Sequence, residues 1–512
     1  MIEASEAWKD IQQRFLLPES HIEIDCTIAE VGAQESATAS GTVEAVFSDA
    51  GSVLGVDAVS ARYATNELNL WSLDGSREIV PDLAPYETAG YVSDIESTGS
   101  VTLSFPEVRT TASAGITITW GSRYGEYPSV FTVTAKNGEM VVNELTITDN
   151  TQQVSAVYMP LSNYDSITIT VQNWYLPHRR ARIEKVVLGH VLLLTKKDIL
   201  SYTHEQHGDL LSGAIPKSSI EFTLDNTDGR WNPNNPSGME QYLSERQKLT
   251  VRYGLDVNGV IEWIKAGTFY LSEWHTPSNG LEARFVARDV FEFMIDEEMW
   301  SALKDSLSNW IETATSNLPD GSLVVIDPSL ENILAEYTPS YTTGVVSTNA
   351  EIVQKCANAG CCILRYDRDG ILHVEPLNMT DTGYRITQAL SFTHPEVELS
   401  KPLKEISVDY GDGTPYVHAV AASGTQQTVS NDFIGDATNA EKVATWIGNV
   451  LKSRRTVSGE FRADPRVDLF DIVTVESKYG ALTPVVITNI AYSFNGSFRG
   501  SYTGRVLEEV SS

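Results

Sequence analysis

Gly115-Ile-Thr-Ile-Thr-Trp120 decides how the N-terminal part of this chain is read. Apolar residues alternate with threonine, so one face is greasy and the other carries hydroxyls. That period of two belongs to a strand with one buried side. The pattern recurs in Val101-Thr-Leu-Ser-Phe105, Val130-Phe-Thr-Val-Thr-Ala135, Asn143-Glu-Leu-Thr-Ile-Thr148 and Ser166-Ile-Thr-Ile-Thr-Val171. Turn residues separate these runs, and Lys136 is the sole lysine between Lys9 and Lys185. Such spacing predicts an antiparallel β-sandwich or jelly roll with polar, threonine-rich outer faces.

Outward from there, the pattern stays β-rich. His21–Ile28 alternates, with Ile22, Ile24, Cys26 and Ile28 on one face, and a short amphipathic helix is expected before it at 7–16. Strands are predicted at 219–224, 248–253, 267–271 and 281–287. The intervening Asp225–Pro236 is dense in Asn, Asp, Pro and Gly and must be turn-rich. Apolar residues at helical spacing predict helices over 296–316, 349–359 and 438–454. Ile363–Tyr366 and Ile371–Pro376 flank Asp367-Arg-Asp-Gly370, a hairpin signal, and the chain closes on strands at 472–476, 485–494 and 498–506. The expected fold class is mainly β with a few helices. Its expected parts are a discontinuous domain of 1–45 and 188–297, an inserted β-sandwich of 46–187, an α+β domain of 298–400 and a β-rich C-terminal domain of 401–512.

The 512 residues suggest about three or four domains, and the 42% hydrophobic and 21% charged composition excludes wholesale disorder. The net charge of −31 opposes contact with nucleic-acid phosphates or anionic lipid, so sequence-specific nucleic-acid binding is not expected. Val186–Leu194, the most apolar stretch, is too short to span a bilayer. The acidic start MIEASEAWKD does not read as a signal peptide, so assembly in the cytoplasm is the expectation. The four cysteines, Cys26, Cys356, Cys361 and Cys362, have no zinc or iron–sulfur spacing and read as buried thiols.

Chemistry-bearing motifs are sparse. There is no G-x-S-x-G, no phosphate loop and no dinucleotide fingerprint. His204-Glu-Gln-His207 lacks the order that sets two metal ligands around a base on a helix, and Asp225-Asn-Thr-Asp-Gly229 fails the calcium-loop register. No catalytic, cofactor or metal residues are therefore assigned. Arg179-Arg-Ala-Arg182 reads as a solvated or domain-junction cluster. The aromatics Trp71, Trp120, Tyr124, Tyr127 and Trp174 are candidates for stacking on sugar rings, and each is equally open to a core role.

Several segments in order resemble tail hub proteins of long-tailed bacteriophages. They are Ser219–Pro236, Leu249-Thr-Val-Arg-Tyr-Gly254, Gly267–Leu271, the Asn439–Ile447 helix, Arg454-Arg455, Gly459-Glu-Phe-Arg-Ala-Asp-Pro-Arg466, Leu469–Val475, and the Ile487–Arg505 strands with Gly496-Ser-Phe-Arg-Gly500. The resemblance covers about 1–45 and 188–512. It implies a structural virion protein at the tail tip or baseplate, with β-barrel-like hub domains in a ring of three subunits. The implied partners are a distal tail protein, a tape-measure protein and receptor-binding or fibre proteins. Asn69-Leu-Trp-Ser-Leu-Asp-Gly-Ser76 resembles galactose-binding-like sandwiches of tail proteins, which implies contact with a host cell-surface polysaccharide. Hub relatives often extend C-terminally into a peptidase or fibre. This chain is expected to lack that extension, which leaves a tail-associated cell-wall hydrolase, a glycosidase or peptidase, as the alternative.

Overall fold

The computed structural model describes residues 1–14, 18–29, 36–41, 92–93, 99–110, 113–121, 127–177, 179–180, 183–235, 238–277, 280–295, 304–319, 323–335, 347–411 and 413–507. Strands dominate, as the alternation requires, and the chain forms two compact units. The larger comprises Met1–Ile24, Leu194–Asn235 and Ser244–Ser512, and the smaller comprises Asp25–Leu193 and Pro236–Leu243.

The smaller unit is a β-sandwich. One sheet has the spatial order Thr38–Gly41, Gly99–Arg109, Tyr164–Trp174, Pro128–Asn137 and Met140–Ile147. The other sets Ser113–Trp120 between Val154–Leu161 and the chain of Ile183–Thr195. Val101, Leu103, Ile116, Ile118, Phe131, Val133, Ile167 and Ile169 fill the space between the sheets. Threonines on the other faces of these strands pair across strands, as in Thr102 with Thr168 at 3.0 Å and Thr132 with Thr146 at 2.8 Å, while Thr117 is buried and donates to the Gly189 carbonyl. Cross-strand hydroxyl pairs of this kind stabilise a sheet face.

The larger unit is built on a long antiparallel sheet. Its spatial order runs Glu396–Leu399, Arg455–Phe461, Phe498–Val506, Leu482–Phe494, Ile199–His207, Lys217–Asp225, Glu282–Arg288, Val260–His275 and Lys248–Val257. The segments that carry the hub resemblance are thus neighbours in space, although 219 and 506 are far apart in the chain. The joint between them is the pairing of Tyr202–His207 with Phe494–Asn489. Helices Leu307–Ala314, Asn349–Ala359 and Ala437–Leu451 share a second core with the Ile363–Tyr366/Ile371–Glu375 hairpin. Thr348 and Glu351 close a capping box at the second helix, and Trp310 packs edge-on against Phe433 at 5.4 Å.

Two helix expectations are corrected. The predicted 296–316 helix is the shorter Leu307–Ala314. Residues 296–303 lie outside the described residues, and Ser306 terminates the helix by accepting the Asn309 N–H at 3.2 Å. Asp305 and Ser306 pair instead as a short strand with Leu334–Ala335. The N-terminal helix covers Glu6–Gln12, capped by Ser5, with Trp8 fully buried.

Gly115 shows how tightly the sandwich is closed. Its φ is +133°, and a Cβ there would sit 2.0 Å from the Val157 carbonyl oxygen. Gly115→Ala must therefore push two paired strands apart. We expect it to destabilise the sandwich by about 1–3 kcal/mol, read as a lower urea midpoint of the full chain.

Candidate functional site

The sequence-selected aromatics divide by strand parity. Trp120 shares the inward face of Ile116 and Ile118, and it is fully buried with its indole N–H donating to Ser155 Oγ at 2.9 Å. Trp174 is 2% exposed and meets Trp120 edge-on at 6.4 Å. Neither ring offers a face to a sugar, so both belong to the core. Trp71 and Tyr124 lie outside the described residues. Tyr127 is half-buried and stacks on Tyr175, with centroids 4.7 Å apart and planes 25° from parallel. Tyr175 is 44% exposed. The Tyr175 N–H donates to the Tyr127 carbonyl at 2.9 Å, so the backbone fixes the pair. Tyr127 also packs against the sandwich core, so the ring that remains open to stacking is that of Tyr175. Sequence reasoning passed over Tyr175; its adjacency to Trp174 at a strand end was the available signal.

The titratable groups of the larger unit serve its interior. His204 is fully buried, whereas His207 on the same strand is exposed. The His204 ring is held on both sides: Tyr202 and Tyr253 share a hydrogen bond at 2.9 Å, Tyr253 Oη bonds His204 Nδ1 at 2.9 Å, and Ser218 Oγ bonds His204 Nε2 at 3.1 Å. Every member is satisfied with the imidazole neutral. Burial, aided by the positive charge of Arg368, holds the His204 pKa down at about 3.

Ser218 also donates its backbone N–H to Asp289 Oδ2 at 2.6 Å, and Asp289 Oδ1 accepts from Phe291 N–H at 3.0 Å. Burial nonetheless raises the Asp289 carboxyl to about 7. Arg368 is 3% exposed and clamps the loop after the Arg455–Phe461 strand. It donates to the Pro465 and Val467 carbonyls at 2.5 and 2.8 Å and pairs with Asp468 at 3.3 Å. Tyr492 O–H donates to the same Val467 carbonyl at 2.6 Å, and Arg466 forms a buried ion pair with Asp464 at 2.6 Å.

The remaining motifs are structural. Asp225 and Asp228 each accept a backbone N–H two residues on, and Asn226 Oδ1 accepts from Trp231, so Asp225–Pro236 opens as a set of side-chain-locked turns. No group of three or more His, Cys, Asp or Glu among the described residues is arranged to hold a metal ion. None of the four cysteines is in a disulfide, and burial raises Cys26 and Cys362 to about 12 and Cys361 to about 11. Arg179–Arg180 pairs as a short strand with Val92–Ser93. No described helix is long and apolar enough to cross a membrane.

His204 and Asp289 titrate in opposition. A depressed histidine contributes stability that is present above its ordinary 6.5 and lost as pH falls toward 3. A raised aspartate contributes stability that is present below its ordinary 3.8 and lost as pH rises toward 7. Between those limits the two slopes cancel in the parent protein. His204→Gln should cost about 1–3 kcal/mol at pH 8. That deficit should shrink by roughly 1.4 kcal/mol per pH unit below 6.5. Denaturant titrations of both proteins at several pH values test this; a pH-independent difference would show that His204 is not held neutral.

No protein-family model matches this sequence, and no curated protein matches it. Among solved structures the chain is similar to the 43 kDa tail protein of prophage MuSo2 from Shewanella oneidensis, at 13% identity and TM-score 0.43, covering 61% of this chain and 94% of that one. It is similar to a tail protein from Neisseria meningitidis MC58, at 12% identity and TM-score 0.43, covering 61% and 93%. It is also similar to prophage tail protein gp18 from Listeria monocytogenes EGD-e, at 14% identity and TM-score 0.41, covering 62% and 91%.

Proposed function

We propose that this protein is a structural virion protein, the hub of a bacteriophage tail tip or baseplate, with its sandwich turned to the host surface. The observation that carries the reading is spatial. The hub-like segments between 219 and 506 run in sequence order with long gaps, yet most of their strands lie in one sheet, joined through the Tyr202–His207 pairing with Phe494–Asn489. Three such subunits would close a ring at the end of the tail tube. A distal tail protein and the tape-measure protein would be its neighbours, and receptor-binding or fibre proteins would lie beyond it. The charge of −31 suits a wall past which DNA must slide without adhering. His204, Asp289, Arg368 and Asp464 hold the interior together, which favours a structural role over a cell-wall hydrolase.

For the sandwich, the Tyr127–Tyr175 pair is the surface that suits a cell-surface polysaccharide. Sugar C–H faces stack on flat aromatic rings, and a trimer would repeat a weak contact three times.

Light scattering on the full chain at several concentrations tests the hub. We expect a species near three times the 56.3 kDa chain mass. A monomer throughout, together with release of cell-wall fragments, would overturn it. On a glycan array, Tyr175→Ala should reduce binding of the full chain by about tenfold while leaving its mass and melting temperature unchanged; undiminished binding would place the glycan elsewhere.

A further inference from the structure

Within the larger unit, Leu403–Asp409, Tyr416–Ala419 and Thr425–Ser430 form a small sheet of their own. Leu403–Asp409 is its centre, antiparallel to Tyr416–Ala419 and parallel to Thr425–Ser430. Among the described residues neither outer strand has a second neighbour. Backbone parity shows what each free edge offers. The Val420 N–H donates to the Lys404 carbonyl, so the alternate residues Val417 and Ala419 turn their N–H and C=O groups outward. On the far side Thr425 donates to the Pro402 carbonyl and Asn431 to that of Asp409, so Gln426, Thr428 and Ser430 turn theirs outward. Five successive residues, Gln427–Asn431, line an open cavity of about 360 Å³. Strand side chains alternate between faces, so an unbroken run sets the backbone edge itself along that space.

Natural edge strands carry charges or prolines that discourage pairing with another chain. Glu396–Leu399, the edge of the long sheet, has Glu396 and Glu398. Tyr416–Ala419 and Thr425–Ser430 have neither charge nor proline. No Asp, Glu, Lys or Arg occurs from Gly413 to Asn431, although 21% of the chain is charged. The two strands are also open to solvent: Val417 is 54% exposed, and all of Thr425–Ser430 except Val429 is exposed. Copies that each carry −31 repel one another, and an uncharged edge is where they approach at least cost.

We propose that copies of this chain join edge to edge here, the Tyr416–Ala419 strand of one pairing with the Thr425–Ser430 strand of the next. Two dissimilar edges make a heterologous contact, the kind that cyclic symmetry repeats until it closes. A rotation axis running along the strands preserves their direction. Tyr416–Ala419 runs against Leu403–Asp409 and Thr425–Ser430 runs with it, so the new pair is antiparallel. Main-chain bonds between the outward N–H and C=O groups supply the affinity. This contact lies within the trimer proposed above and rests on that reading.

Light scattering of the full-length Thr428→Pro variant tests the contact. Proline there removes an outward N–H and no bond within the sheet. It should weaken association of the trimer by about tenfold with the circular dichroism unchanged. Val397→Pro, on the glutamate-bearing edge, should leave the mass as it was. Deuterium uptake of the parent protein gives a reading that holds even if a variant misfolds: peptides across 416–430 should exchange more slowly in the trimer than in the diluted monomer. A trimer indifferent to Thr428→Pro, or uptake across 416–430 that ignores assembly, overturns the contact and leaves the hub reading standing. A dimer overturns the cyclic pairing, since two like edges then meet. A parent that stays monomeric at every concentration removes the trimer and the contact with it.

Discussion

The larger unit depends on a neutral imidazole in the middle of a sheet. His204 hydrogen-bonds Tyr253 through one ring nitrogen and Ser218 through the other, so it ties its own strand to Lys248–Val257 and Lys217–Asp225. Its ring also meets Phe269 edge-on at 5.2 Å and Tyr492 at 6.3 Å. Tyr492 belongs to the late strand that joins Ile199–His207, so one side chain sits where early and late sequence meet. Such a network is favourable only when every member is satisfied. Protonating His204 would make both ring nitrogens donors, so neither the Tyr253 nor the Ser218 hydroxyl could donate to it. Arg368 extends the same logic, since its guanidinium fixes the 464–468 loop against that sheet.

Charge is distributed by the same economy. Much of the scarce arginine is matched to glutamate along the sheet surface, as in Arg252 with Glu23 at 2.5 Å and Arg288 with Glu273 at 2.8 Å. Exposed pairs of this type add little stability each. Their effect is on the field: they neutralise the sheet locally and leave the excess carboxylates unopposed elsewhere.

Legibility followed locality. The Asn349–Ala359 helix was readable from its apolar spacing, to which the structure adds a capping box of Thr348 and Glu351, and the Asp367–Gly370 turn was readable from its turn-forming residues. The 296–316 helix was overextended because apolar periodicity does not register a serine that caps from within the run. Trp120 could have been placed by parity with Ile116 and Ile118. Trp174 could not, because register shifts between Pro128 and Phe131 change which residues face inward beside it. Arg368 was the least legible: it sits in a turn that reads as solvated, and its partners lie almost a hundred residues away. The Asp–Asn turns were recognised as turns from local chemistry alone, since each side chain bonds its own backbone two to five residues on.

The four thiols carry one more consequence. Cys26, Cys356 and Cys362 are buried, Cys361 is partly so, and none is joined to another. Burial keeps them protonated, and a protonated thiol is a poor nucleophile toward a disulfide. The covalent connectivity of the folded chain is therefore the same in a reducing medium as in an oxidising one. The folded chain passes from one to the other without any bond in it having to form or break.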